Sequence, residues 1–174
     1  MSRWEFISRS AEETIQQGRE LASRLKSPIL VMVSGELGAG KTTLTKGIIS
    51  GLGAGREEEI TSPTFTLVHV FHNPGGVGKV YHVDLYRIAG FRDLETIGLE
   101  DLLAEPAVVV VEWPERFTLR TDWPVVWVHL EPVGDDSRRI EITDLSGVLH
   151  RTVQGGSPGR GSQGGPINGA AEYR

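Results

Sequence analysis

The sequence predicts a single α/β domain whose mixed, mostly parallel sheet is flanked by helices. Three observations carry that expectation. Two short apolar, β-branched runs, Ile29–Ser34 (ILVMVS) and Ala107–Val111 (AVVVV), have the composition of strands covered on both faces of a parallel sheet. The octet GELGAGKT, Gly35–Thr42, follows the first run directly and fits G-x-x-x-x-G-K-[ST], the phosphate-binding P-loop. Leu44, Ile48, Ile49 and Leu52 then recur at helical spacing, so the octet joins a strand to a helix N-terminus. Free N–H groups and the helix dipole favour anions at such a junction. The expected architecture is therefore that of a P-loop NTPase-like domain.

The other elements follow in order. Trp4–Ile7 reads as a short strand. Ser10-Ala11-Glu12-Glu13 is a capping-box pattern opening a helix with Ile15, Leu21, Ala22 and Leu25 on one face. Ser27-Pro28 leads into the P-loop strand. Gly51–Gly55 is a loop, and Glu57–Glu59 are solvated acids. Phe65–His72 and Lys79–Asp84 alternate apolar and polar residues about Asn73-Pro74-Gly75-Gly76, the pattern of an antiparallel hairpin. Phe91–Ile97 is expected to be a short helix, Pro106 marks the start of the valine strand, and Val125–Leu130 and Arg139–Ile142 are further strands. The domain is expected to occupy residues 1–146. Residues 147–174 form a Gly/Ser/Pro-rich tail, with too few apolar residues to offset ordering entropy by burial. Arg151, Arg160 and Arg174 face one acid there, Glu172. The tail reads as a disordered extension or as a weak RNA or partner tether.

Bulk properties narrow the function. The 174-residue chain carries a net charge of −5, against a protein that grips DNA or RNA by bulk electrostatics. It has no cysteine, hence no disulfide and no thiolate metal site. No apolar run approaches the roughly 18–20 residues that span a bilayer, and MSRWEFISRS is too polar for a signal peptide. A soluble, cytoplasmic protein is expected.

Within the P-loop, Gly35, Gly38 and Gly40 let the backbone wrap phosphate without Cβ clashes. Lys41 is the candidate for the β/γ-phosphates and the Thr42 hydroxyl for Mg²⁺. Three further segments bear on the chemistry. Thr61-Ser62-Pro63-Thr64-Phe65 is a hydroxyl-rich loop placed where P-loop proteins sense the γ-phosphate, or else an ordinary entry to a strand. In Tyr81–Arg87 (YHVDLYR), Asp84 ends a strand, positioned for Mg²⁺ and its water shell or as a cap on the next turn, and Arg87 pairs with phosphate or buttresses Asp84. His82 falls on the same face, deeper in the sheet, and reads as a packed residue. In Val108–Glu115 (VVVVEWPE), an apolar strand ending in Glu112 is a Walker-B-like arrangement, with Glu112 toward Mg²⁺ or the attacking water and Trp113 beside the nucleotide or a partner.

Taken together, GELGAGKTTLTKG, TSPTFTLV, YHVDLYR, IGLEDLL (Ile97–Leu103) and VVVVEWPER resemble the TsaE family of tRNA threonylcarbamoyladenosine biosynthesis proteins. The resemblance runs from about Phe6 to Ile142, and the combination of SPTF, DLYR and EWPE is its most specific part. It implies a small ATPase that binds ATP and Mg²⁺. Nucleotide contacts would come from Gly38, Ala39, Gly40, Lys41, Thr42, Thr43 and Trp113, with Ser10 and Ala11 as weaker candidates at the base or sugar. Thr42 and Glu112 would hold the metal, and Lys41, Asp84 and Glu112 would serve catalysis. The resemblance also implies an accessory role beside TsaD and TsaB, which attach threonylcarbamoyl to adenosine in tRNAs reading A-starting codons, with tRNA met indirectly through that complex. Two features depart from the family pattern: His69-Val70-Phe71, where a more polar stretch ending in Tyr is expected, and the glycine-rich tail.

Competing readings are a P-loop small-molecule or nucleoside kinase, a GTP-dependent switch and a nucleotide-binding module without turnover. A kinase needs an arginine-bearing lid, for which Arg116 and Arg120 are the candidates near Glu112; a GTP switch needs an N-K-x-D-like segment, which the sequence lacks.

Overall fold

A computed structural model describes residues 1–116 and 118–149; the side chain of Phe91 is not described. Of the tail expected over 147–174, residues 150–174 lie outside the described residues. Among the described residues, seven strands form one sheet in the order β1-β7-β6-β2-β5-β4-β3. The strands are β1 (Ser2–Ser8), β2 (Ile29–Gly35), β3 (Val68–Asn73), β4 (Gly78–Asp84), β5 (Val108–Glu112), β6 (Val125–Pro132) and β7 (Arg138–Asp144). Its centre is parallel, β2 lying between β5 and β6 and β5 next to β4. Antiparallel pairs finish both edges: β3 on β4, and β7 between β6 and β1. The two strands read as buried on both faces, β2 and β5, are buried at every residue.

Helices α1 (Ala11–Ala22) and α2 (Lys41–Gly51) cover one face, where Leu21, Ala22, Leu44, Ile48 and Ile49 pack on Val31, Val33, Val108 and Val110. On the other face, α3 (Phe91–Ile97) and α4 (Leu99–Leu102) bring Leu94, Ile97 and Leu99 against Leu30, Met32, Val83, Val109 and Val111. The mixed α/β architecture is thus the one expected, with helices on both sides of the sheet.

Ser10 is the N-cap of α1, its Oγ accepting from Glu13 N at 3.1 Å, while Glu13 reaches back to Arg9 N at 2.7 Å. Of the expected face, Leu21, Ala22 and Leu25 are buried, but the Ile15 side chain is not at the closest contact. Thr14, Gly18, Leu21 and Ala22 are buried, and Ile15 is only half-buried. The reason is a close crossing on α2. A Cβ at Gly18 would lie 2.4 Å from the Leu44 carbonyl oxygen, and one at Gly47 would lie 2.1 Å from the Ile15 carbonyl oxygen. Two side-chain-free patches let the backbones meet, and the contact stripe rotates toward Gly18.

The hairpin is shorter than its alternation suggests. Thr64–Thr66 forms a turn and β3 starts at Val68, because Leu67 adopts φ 66° and its N–H returns to the Pro63 carbonyl at 2.6 Å. At the other end, packing into the core includes Leu149, beyond the boundary expected at 146. Asp144, fully buried, accepts from Ser146 N at 3.1 Å, Gly147 N at 2.8 Å and Leu149 N at 2.8 Å. That turn seats Leu149 in the core beside Trp4, Phe6, Leu21 and Ile142.

The α1–α2 crossing predicts a specific vulnerability. Ala is favoured over Gly in a helix interior by about 1 kcal/mol, but overpacking a close-packed contact costs about 1–3 kcal/mol or more. The Gly47→Ala substitution places a methyl group against backbone, which cannot rotate away. Gly47→Ala should therefore destabilise the domain by a net of about 2 kcal/mol, read as a lowered urea midpoint. An unchanged or raised midpoint would show that the crossing relaxes freely.

Candidate functional site

Register gathers the site. Parallel pairing sets Asp84 opposite Glu112 and Glu112 opposite Val33, so β4, β5 and β2 end together at one sheet edge. The glycine-rich loop Glu36–Gly40 leaves from that edge and turns into α2. Gly40 is the N-cap of α2 at φ 103°, a left-handed conformation that disfavours side chains. Among the described residues, no side chain caps the helix and no acid occupies its first turn. Its first N–H groups are therefore left for another acceptor. Gly38 is exposed, Ala39 is buried, and Thr42 and Thr43 are half-buried at the start of α2.

Lys41 curls back over this loop. Its Nζ donates to the Gly35 carbonyl at 2.8 Å and the Glu36 carbonyl at 2.7 Å, and it lies 3.9 Å from the centre of the Trp113 ring. Trp113 follows Glu112 at φ 61°, an uncommon conformation for a bulky residue. Its N–H bonds the Val33 carbonyl at 3.2 Å, and its ring lies 4.9 Å from that of Tyr86. The backbone strain therefore accompanies a ring stacked on the ammonium. Burial pushes the Lys41 pKa down; Glu112, Glu115 and Asp84 oppose that shift without cancelling it.

Glu112 is 2% exposed and uses both oxygens: Oε2 accepts from the Thr42 hydroxyl at 3.0 Å, and Oε1 lies 2.7 Å from His82 Nε2. Thr42 and Glu112, expected together from the sequence, thus meet. They are the oxygen donors available to a hard cation; among the described residues, no three His, Cys, Asp or Glu side chains form a metal cage.

Asp84 behaves differently. Its Oδ1 accepts from Tyr86 N at 2.9 Å, the turn-capping role. Its Oδ2 takes the Ser62 hydroxyl at 2.5 Å and the Thr64 hydroxyl at 3.4 Å. The carboxylate therefore ties the hydroxyl-rich loop to the end of β4. Arg87 does not buttress it by an ion pair; its guanidinium lies 4.4 Å from the ring centre of Phe65, which is 84% exposed. Arg116 lies beside the rings of Tyr86 and Trp113, at 5.7 and 5.8 Å from their centres.

Ser10 spends its hydroxyl on capping α1, and Ala11 is exposed. Both lie one turn from Thr14, whose hydroxyl accepts from Arg138 Nη1 at 3.2 Å. The same nitrogen would stand 3.2 Å from a Cβ on Gly40. Arg138, at the start of β7, therefore links the first turn of α1 to the glycine-rich loop. Sequence reasoning missed it, as it missed the contact of His82 with Glu112. The one signal for Arg138 was a cation at a strand start, and for His82 a polar residue inside an apolar alternation.

A family model described as "Threonylcarbamoyl adenosine biosynthesis protein TsaE" matches residues 8–140. The chain belongs to the TsaE family. Its relatives include tRNA threonylcarbamoyladenosine biosynthesis proteins TsaE of Treponema pallidum, 38% identical over 78% of this chain and 97% of the relative, and of Streptomyces coelicolor, 41% identical over 74% and 88%. The crystal structure of YdiB from Bacillus subtilis superposes with a TM-score of 0.61 at 29% identity, covering 85% of this chain and 89% of that one. The family places the protein in tRNA threonylcarbamoyladenosine biosynthesis. Among the described residues, no helix is long and apolar enough to cross a membrane.

The depressed pKa of Lys41 sets a pH signature. In the window between its folded-state value and the ordinary 10.5, the unfolded chain holds more protons than the folded one. Stability then rises with pH across that window. Urea unfolding of wild type and Lys41→Met, which removes the titration, should show the wild type gaining on the variant as pH rises toward 10.5. A difference that is flat, or that runs the other way, would contradict the desolvated ammonium.

Proposed function

We propose that the protein is an ATP-binding and ATP-hydrolysing accessory subunit, acting in the cytoplasm with TsaD and TsaB to form threonylcarbamoyl on adenosine in tRNAs that read A-starting codons. The observation that carries this reading is the 3.0 Å contact of Thr42 with Glu112 beside an uncapped helix N-terminus and a lysine held over the same loop.

The donor set fits Mg²⁺. Thr42 Oγ1 and Glu112 Oε2, 3.0 Å apart, are the hard oxygen donors that would hold it. A site with one hydroxyl and one carboxylate suits a cation that takes its remaining ligands from water and phosphate. When bound, Mg²⁺ would neutralise phosphate charge and orient the γ-phosphate.

The chain's own residues do the rest. The N–H groups of residues 38–43 receive the phosphates, as helix N-termini do. Lys41 exchanges two carbonyl partners for phosphate oxygens, a charge-assisted and stronger contact. Phosphate also stabilises the ammonium that burial disfavours. Arg138, bonded to Thr14 in the first turn of α1, lies against the loop at Gly40, where a sugar or base would lie. Asp84 holds Ser62 and Thr64 toward the γ-phosphate side, so the loop that senses that phosphate is braced before ATP arrives. Tyr86, Trp113 and exposed Phe65 rim the same side, and there a partner would meet the state of the nucleotide. The chain's net charge of −5 favours a protein partner over bare tRNA as the docking surface.

Single-turnover ATP hydrolysis tests the reading. Isolated protein, alone or with tRNA, should turn over slowly; TsaD–TsaB should accelerate it. Charge supplied in trans is worth about 10³–10⁵ in related phosphoryl transfer. Lys41→Ala should lose about 1.5–3 kcal/mol of phosphate interaction with an unchanged circular dichroism spectrum. Fast hydrolysis by the isolated protein that partners leave unaltered, or phosphate transfer to a nucleoside panel, would point to the kinase instead.

A further inference from the structure

His82 stands inside the sheet on β4, fully buried, two residues before Asp84 and on the same face. Its partners across the two ladders are Val110 on β5, which an aliphatic side chain would pack against equally well, and His69 on β3. Its polar atoms are used unequally. Nε2 lies 2.7 Å from Glu112 Oε1, while Nδ1 has no hydrogen-bond partner among the described residues. An ionised carboxylate only accepts, so Nε2 carries the hydrogen. The edge of the ring faces His69 at 6.4 Å, an aromatic contact and not a second hydrogen bond. A buried imidazole with one nitrogen unpaired costs stability. What the core receives in return is one bond, made to the carboxylate at the candidate site.

That bond matters most when the site is loaded. Glu112 has two fixing contacts, Thr42 on Oε2 and His82 on Oε1. If the Thr42 hydroxyl turns its lone pair to a cation, its hydrogen bond to Oε2 weakens, and His82 becomes the contact that keeps the carboxylate from rotating. We propose that His82 is a positioning residue: it holds Oε1 of Glu112 so that Oε2 stays facing Thr42 and the cation the two would share. The inference rests on the Mg²⁺-nucleotide reading above and adds to it a dependence on a residue that touches neither cation nor nucleotide.

The test is calorimetric titration of ADP with and without Mg²⁺, the readout being the ratio of the two affinities. Four variants are compared with wild type, each checked for folding by thermal melting: Glu112→Gln, His82→Leu, His82→Gln and His82→Asn. Gln can place an N–H near the position of Nε2; Asn is too short; Leu fills the space and donates nothing. Groups that orient metal ligands are typically worth 10–100-fold in affinity, so His82→Leu and His82→Asn should lower the ratio about tenfold and His82→Gln should keep it within about threefold of wild type. If His82→Leu does not fold, the Gln and Asn pair decides alone. Equal losses in Gln and Asn would reduce His82 to packing and overturn the proposal. So would wild-type ratios in all His82 variants while Glu112→Gln loses its ratio, a result that leaves the metal reading standing. A wild-type ratio in Glu112→Gln would overturn the metal reading itself, and the inference with it.

Discussion

The parallel pairing of β5 with β2 on one side and β4 on the other is the constraint on which the site depends. It brings Glu112 level with Val33 and Asp84, so that residues about fifty and eighty positions apart in the chain end at one edge. Side chains alternate along a strand, and a slip of one residue would turn Glu112 to the opposite face. The contact with Thr42 would then be lost, along with the His82 bond. The four valines of β5, buried on both sides, are what hold the register. Hydrophobic burial thus sets the position of a polar site that contributes little to stability itself.

The site is costly to keep ready. Lys41, Glu112, His82 and Asp84 are all buried. Three of them hold partners that are incomplete or exchangeable: carbonyls for Lys41, the Thr42 hydroxyl for Glu112 Oε2, and a single bond for His82. Trp113 adds a bulky residue at positive φ. Such tensions are usual where a fold keeps a site preorganised at the expense of stability. The domain answers them elsewhere, in the close α1–α2 crossing, the Ser10 cap and the Asp144 turn that locks Leu149 into the core.

How much of this was legible in the sequence depended on distance along the chain. The glycine-rich loop was readable because its strand, turn and helix are contiguous, and Glu112 because an acid closes an apolar run. Asp84 was placed correctly at a strand end, but both of its oxygens are engaged by Tyr86, Ser62 and Thr64, so the capping role seen in the fold was one of the two left open. Arg138 could not be found, since nothing in a single sequence says that β7 lies between β6 and β1 or that its first residue reaches Gly40. Ile15 was misassigned because a glycine on a helix is silent in an apolar pattern and yet can be the point of closest contact. The start of β3 was misjudged because alternation continued through Phe65–Leu67 while Leu67 had already left extended geometry.

The proposed sharing of one cation by Thr42 and Glu112, at the foot of the glycine-rich loop, is open to direct measurement. Crystals grown with Mn²⁺ and a non-hydrolysable ATP analogue would address it by anomalous scattering, which places the metal without reference to the protein. The manganese peak is expected within bonding distance of Thr42 Oγ1, on the Oε2 side of Glu112, with the β- and γ-phosphates over the first turn of α2. A peak away from this pair, or a nucleotide seated elsewhere on the domain with the glycine-rich loop empty, would contradict it.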